Sequence, residues 1–170
     1  MSEETSEEMA REATEEKIRA KTRQLCTFYL ERHFFGVPVG EVQEVIRYLD
    51  LTWVPLVSEV VRGVINLRGQ IVTAIELRRC LGMPERPAGQ LPMNVVIRTG
   101  DGAVSLLVDE IGDVLDVEPE TMEKPPETLQ GPIREMVRGV YKLAGALLLE
   151  LDIQRAIADI GKESAQAASA

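Results

Sequence analysis

Histidine, cysteine and aromatic side chains are scarce in this chain. Of 170 residues, one is histidine, two are cysteine, and Phe, Tyr and Trp together make up 4%. A single histidine, His33, leaves no second imidazole for a zinc site and no base paired with an exposed nucleophile. Cys26 and Cys80 lie far apart and follow no metal-ligand spacing, so they read as free, buried thiols of a reducing compartment. Long apolar runs are also missing. The longest, AGALLL, stops at Glu150, far short of the roughly 20 residues a membrane-spanning helix needs. The opening MSEETSEEMAREATEEK is acidic, which excludes a secretory signal. Positive charge is in deficit, with 19 Lys and Arg against 28 Asp and Glu and a net charge of −9. Nucleic acid and anionic membrane surfaces both demand a basic footprint, so neither is expected as a partner. No Gly-rich phosphate loop is present, since GKES at Gly161 lacks the preceding glycine. Asp109, Glu110, Asp113 and Asp116 are separated by alternating hydrophobics and read as a solvated strand face rather than a divalent-ion cluster. No catalytic residue, cofactor or metal site is expected. These exclusions leave proteins as the expected partners.

What is present is a core-forming chain, 45% hydrophobic, organised in short segments. Residues 1–20 carry seven Glu and too few apolar residues to bury a helix, and they read as an acidic, disordered tail. From Gln24 onward short strands dominate: LCTFYL, FFGVPV, then VRGVINL and QIVTAIEL joined at Arg68-Gly69. LRRCLG reads as a helical turn closed by Gly82. GMPERPAGQLP, with three prolines, is a linker. MNVVIRTGDGAVSLLVDEI is a hairpin turning at Thr99–Gly102, with Val95, Ile97, Val104, Leu106 and Val108 at period two. DVLDV, VRGVYKL and GALLLEL are further strands. DIQRAIADI, with Ile153, Ala156, Ile157 and Ile160 at helical spacing, is a terminal helix. Trp53 is expected in a core or between domains.

One phrase is written twice. Shifted by 76 residues, Val61, Arg62, Gly63, Val64, Leu67 and Gly69 meet identical residues at Val137, Arg138, Gly139, Val140, Leu143 and Gly145. Shifted by 69, Val39, Glu41, Val42, Glu44 and Val45 meet Val108, Glu110, Ile111, Asp113 and Val114. The fold class is therefore all-β: two similar five-stranded barrels, one spanning residues 21–86 and the other 87–170, packed around a groove. Residues shared by both copies serve the fold. Gly63 and Gly139 allow close backbone approach, while Gly69 and Gly145 make turns. Asn66 and Arg68 face Lys142 and Ala144 in the second copy, so the fold does not require them. Arg68 at the turn becomes a candidate for partner contact.

The stretch RGVINLRGQIVTAIELRRCLGMP, with EVQEVIRY upstream and SLLVDEIGDVLDV downstream, resembles the CheW family of chemotaxis coupling proteins. The resemblance runs from Gln24 to Ile160. It implies two tandem SH3-like barrels and no catalysis. It also implies a cytoplasmic adaptor at receptor arrays, linking the cytoplasmic domain of chemoreceptors to the regulatory domain of a histidine kinase without direct membrane contact. By motif match, Val42, Glu44 and Val45 fall where the family places receptor contacts. Gly63, Asn66 and Arg68 fall on the stretch where coupling is sensitive. Thr73-Ala74 departs from the usual Val-Pro, and Glu76 stands where Asp is commoner. Such departures leave the pathway open, the alternative being a double-barrel binding module in motility or gene control.

Overall fold

Glycine turns and alternating apolar residues resolve into ten strands. The computed structural model describes residues 2–54 and 58–158, so Ile160 and Gly161 lie outside the described residues. The strands are β1 (Arg23–Leu30), β2 (His33–Pro38), β3 (Val42–Ile46), β4 (Val61–Leu67), β5 (Gln70–Glu76), β6 (Met93–Thr99), β7 (Gly102–Val108), β8 (Glu110–Val117), β9 (Val137–Leu143) and β10 (Ala146–Leu151). The helices are α1 (Ser2–Lys21), α2 (Leu77–Cys80) and α3 (Pro132–Met136). Residues 153–158 are also helical. No described helix is long and apolar enough to cross a membrane.

The strands form two five-stranded sheets, ordered β8-β1-β2-β10-β9 and β3-β6-β7-β5-β4. The two orders match under the sequence repeat: β8 corresponds to β3, β10 to β5 and β9 to β4. This is the expected all-β pair of SH3-like barrels, here termed barrel 1 and barrel 2. The expected boundary between residues 86 and 87 is not where the barrels divide. Barrel 1 takes β1 and β2 from the first half of the chain and β8–β10 from the second. Barrel 2 joins β3–β5 of the first half to β6 and β7 of the second. The halves have exchanged strands through two parallel pairings, β10 with β2 and β5 with β7. Sequence similarity marks equivalent strands, but long-range packing decides which copy each strand joins.

The cores explain why the exchange is stable. Strands β1, β2, β6 and β7 bury both faces, and successive side chains serve different cores. In β1, Leu25 faces the interior of barrel 1, while Cys26, Phe28 and Leu30 face barrel 2. In β6, Val96 fills barrel 2, while Val95 and Ile97 face barrel 1. The largest apolar cluster is the one between the barrels, where Phe28, Phe35 and Val37 meet Ile75, Leu77, Leu106 and Val108. Apolar side chains thus fill the space between the sheets, where the sequence suggested a groove. Ile153 and Ala156 of the final helix are buried, and Ile157 packs on the same cluster.

Two further expectations are corrected. The acidic N-terminal stretch is the helix α1, whose described side chains from Thr5 to Lys17 are all exposed. Glu, Lys, Arg and Ala are good helix formers and need no buried face for this. Trp53 is 73% exposed, on the segment between β3 and β4, and belongs to no core.

Candidate functional site

The corner at the β4–β5 turn is built by backbone chemistry first. Arg68 and Gly69 both have positive φ, 52° and 87°. Two consecutive left-handed residues are what a tight hairpin turn of the favoured hand requires. Asn66 reinforces it, its Oδ1 accepting a hydrogen bond from the Gly69 amide at 2.8 Å. Asn66 thus serves the turn as well as the surface.

The turn projects Arg68 over β3. Its guanidinium donates to both carboxylate oxygens of Glu44, at 3.1 Å and 2.8 Å. β3 and β4 are the two outer strands of the second sheet, so this bidentate pair spans the seam at which barrel 2 closes. The Arg68 side chain is 77% exposed and that of Glu44 19%. An ion pair this open adds at most about 1 kcal/mol to folding, because water and salt screen it. Its value lies in holding an exposed guanidinium fork in one orientation.

The remaining predicted residues separate. Val45 faces outward on β3, 39% exposed. Val42, on the same strand, is half-buried and packs on the inter-barrel core. Gly63 is buried. A Cβ there would lie under 3.0 Å from the Thr52 carbonyl oxygen. The glycine lets Thr52 pair with Val64 through two backbone hydrogen bonds of 2.8 Å, which pins the segment carrying Trp53 to β4. The structure therefore joins Glu44, Asn66 and Arg68 at one corner, sets Val45 on the outer face nearby, and moves Val42 and Gly63 into support. Sequence reasoning missed Ile71, which is paired with Asn66 across the hairpin and 64% exposed. Strict alternation from the buried Val72 would have placed it outside.

The second copy builds the same frame without the arginine. Gly139 permits the matching bridge between Glu123 and Val140, and Gly145 turns with φ 77°. Ala144 stands in place of Arg68. Lys142 pairs with Glu123 at 3.3 Å, and Asp113, the counterpart of Glu44, has no ion pair among the described residues. One ion pair is kept in both copies: Arg62 with Glu76 at 3.7 Å, and Arg138 with Asp152 at 3.5 Å. The two copies share the frame and differ at the corner.

Elsewhere a few charged side chains are buried, among them Glu76, Arg78, Asp109 and Glu150. Asp109 is the single residue between β7 and β8, where the chain passes from barrel 2 to barrel 1. It belongs to no metal cluster; no group of acidic, Cys or His residues suited to an ion occurs among the described residues. Burial alone would raise its carboxyl pKa. The Arg78 guanidinium, the Glu31 amide and Arg86 more than offset this and hold it below the ordinary carboxylate range.

Comparison with known proteins then decides the family. The CheW-like domain matches residues 24–161. The chain belongs to the CheW-like domain family. That family is one of scaffolds and adaptors, not enzymes. The chain is 31% identical over 144 residues to a chemotaxis protein CheW of Bacillus subtilis, covering 85% of this chain and 90% of that one. It is 27% identical over 136 residues to a chemotaxis protein CheW of Treponema pallidum, covering 78% and 80%. Among solved structures, the scaffolding protein TtCheW of Thermoanaerobacter tengcongensis superposes with a TM-score of 0.68 at 23% identity, over 77% of this chain and 84% of that one. That likeness supports the CheW fold drawn above. The matched residues begin just after α1 and include every strand except the first residue of β1.

Proposed function

We propose that this protein is a chemotaxis coupling adaptor of the cytoplasm, joining the cytoplasmic tips of chemoreceptors to the regulatory domain of a histidine kinase within signalling arrays. The observation that carries the reading is the Glu44–Arg68 corner. It is an oriented, exposed guanidinium that the fold does not need, beside the exposed Val45 and Ile71. Arginine with neighbouring apolar side chains is the composition of a binding hot spot. The adaptor acts by scaffolding: it binds two partners at once, and the free energy of each contact restrains the other. Val45, Asn66, Arg68 and Ile71 meet partners directly, while Glu44 aims Arg68.

Isothermal titration of the full chain with a receptor cytoplasmic fragment, and separately with the kinase regulatory domain, tests this. Arg68→Ala should weaken one of the two by about 1–3 kcal/mol, or roughly 5- to 150-fold in Kd. Because the ion pair is open to solvent, the same variant should change folding stability by less than about 1 kcal/mol. Unchanged affinity for both partners would remove the corner from the site.

A further inference from the structure

The apolar cluster between the barrels holds them together, but apolar contact is non-directional. Something directional must set the angle at which they meet, and the polar contacts converge on Asp109. Its backbone amide donates to the Tyr29 carbonyl of β1 at 3.0 Å. Its Oδ2 accepts from the Glu31 amide, in the β1–β2 turn, at 2.7 Å. Both contacts reach barrel 1. On the other side, Arg78 of α2 donates from Nε to Oδ1 at 2.9 Å and from Nη2 to Oδ2 at 2.5 Å. Arg86 adds an Nε contact to Oδ1 at 3.0 Å and grips Glu76 at the end of β5 with both Nη atoms, at 2.9 and 3.1 Å. Arg78 also reaches Glu31 Oε1 at 3.3 Å and the carbonyls of Pro84 and Glu85 at 3.0 and 3.3 Å. The side chains of Asp109, Arg78, Arg86 and Glu76 are all nearly buried.

We infer that Asp109 is a positioning residue: its carboxylate, clasped by Arg78 and Arg86 on one side and the Glu31 amide on the other, fixes the orientation of barrel 1 relative to barrel 2. Charge-assisted bonds of this kind are short and strongly angular. The carboxylate accepts two bonds from one guanidinium fork, a third from a second guanidinium and a fourth from the opposite barrel. Rotation of either barrel must break at least one of them while the carboxylate stays buried. The inference concerns the geometry of the chain itself and stands apart from the coupling reading.

Residual dipolar couplings of the backbone amides in the full chain test it. In the natural protein both sheets fit one alignment tensor. Asp109→Asn keeps the size and an acceptor for the Glu31 amide but removes the charge. The expected result is loss of the single-tensor fit, with each sheet still fitting a tensor of its own. Glu150→Gln alters barrel 1's own ion pairs, those with Arg23 and Arg138, without touching the clasp, and should keep the single tensor. Should Asp109→Asn fail to fold, Arg78→Lys carries the same test, because an ammonium cannot reproduce the fork. A folded Asp109→Asn or Arg78→Lys protein with one tensor and the natural inter-barrel angle overturns the inference. So does a Glu150→Gln protein that loses the single tensor to the same extent.

Discussion

Replacing Gly63 by alanine should be one of the costliest single-methyl additions in this protein. The new Cβ would fall within 3.0 Å of the Thr52 carbonyl oxygen and 3.2 Å from the Trp53 Cα, both backbone atoms, at a φ of 156°. Backbone cannot step aside as a side-chain tip can. Either the strained conformation persists, at about 1–3 kcal/mol, or the Thr52–Val64 bridge opens and two hydrogen bonds worth about 0.5–1.5 kcal/mol each are lost. Some of both gives roughly 3–5 kcal/mol, or a fall in Tm of roughly 6–20 °C for a chain of this size. Two controls separate the causes. Gly69→Ala meets nothing within 4 Å and bears only the left-handed φ of 87°, so it should cost about 1–2 kcal/mol. Gly139→Ala meets chiefly the Met122 side chain, at 2.5 and 2.6 Å, with the Glu123 carbonyl at 3.0 Å. A flexible thioether can move, so its cost should fall between the other two. Urea unfolding of the three variants gives the order directly. If Gly63→Ala is no worse than Gly69→Ala, the close approach of Thr52 to β4 is not what demands glycine.

Other expectations follow from the same geometry. Cutting the chain between residues 86 and 87 should leave two fragments that co-purify as one folded complex, since each barrel needs strands from both; a fragment 1–86 that folds alone would contradict the exchange. Glu150 is fully buried beside Arg23, and burial, only partly countered by Arg23 and Arg138, raises its carboxyl pKa. A raised folded-state pKa means stability present below the unfolded value and lost as pH rises through the folded one. Glu150→Gln should therefore gain stability relative to the natural chain as pH rises above the ordinary carboxylate range, and urea midpoints of the two proteins that run parallel with pH would refute it. Asp109 has the opposite sign. Its depressed pKa supplies stability above the unfolded value that is lost as pH falls through the folded one. Asp109→Asn should remove that acid-side slope in urea unfolding, and an unchanged slope would count against the clasp.

Much of this molecule was legible as letters. The duplicated phrase gave both hairpins, both turn glycines and both close-approach glycines, because each depends on local backbone geometry that side chains cannot satisfy. The Thr99–Gly102 hairpin followed from period two. The exchange of strands between halves was not legible. Strands such as β1 and β6 bury both faces, so alternation cannot say which side meets which barrel. The Glu44–Arg68 pair joins opposite edges of a sheet and is invisible until the barrel closes. The alternating hydrophobics around Asp109, Glu110, Asp113 and Asp116 suggest a solvated strand face, which holds for the other three but not for the buried Asp109. The deciding fact, two arginines folding back from α2 and the proline-rich segment, is tertiary. Comparing the copies showed where divergence lies. Ile65 and Ala74 fill barrel 2, while their counterparts Tyr141 and Glu150 make barrel 1 polar inside.

The most direct measurement is analytical ultracentrifugation of the full chain mixed with a receptor cytoplasmic fragment and the kinase regulatory domain, singly and together. The account predicts a complex with each partner, a larger ternary species when all three are present, and its loss in Arg68→Ala protein that still unfolds at the natural urea midpoint. Folded natural protein that sediments alone in every mixture would contradict the coupling role.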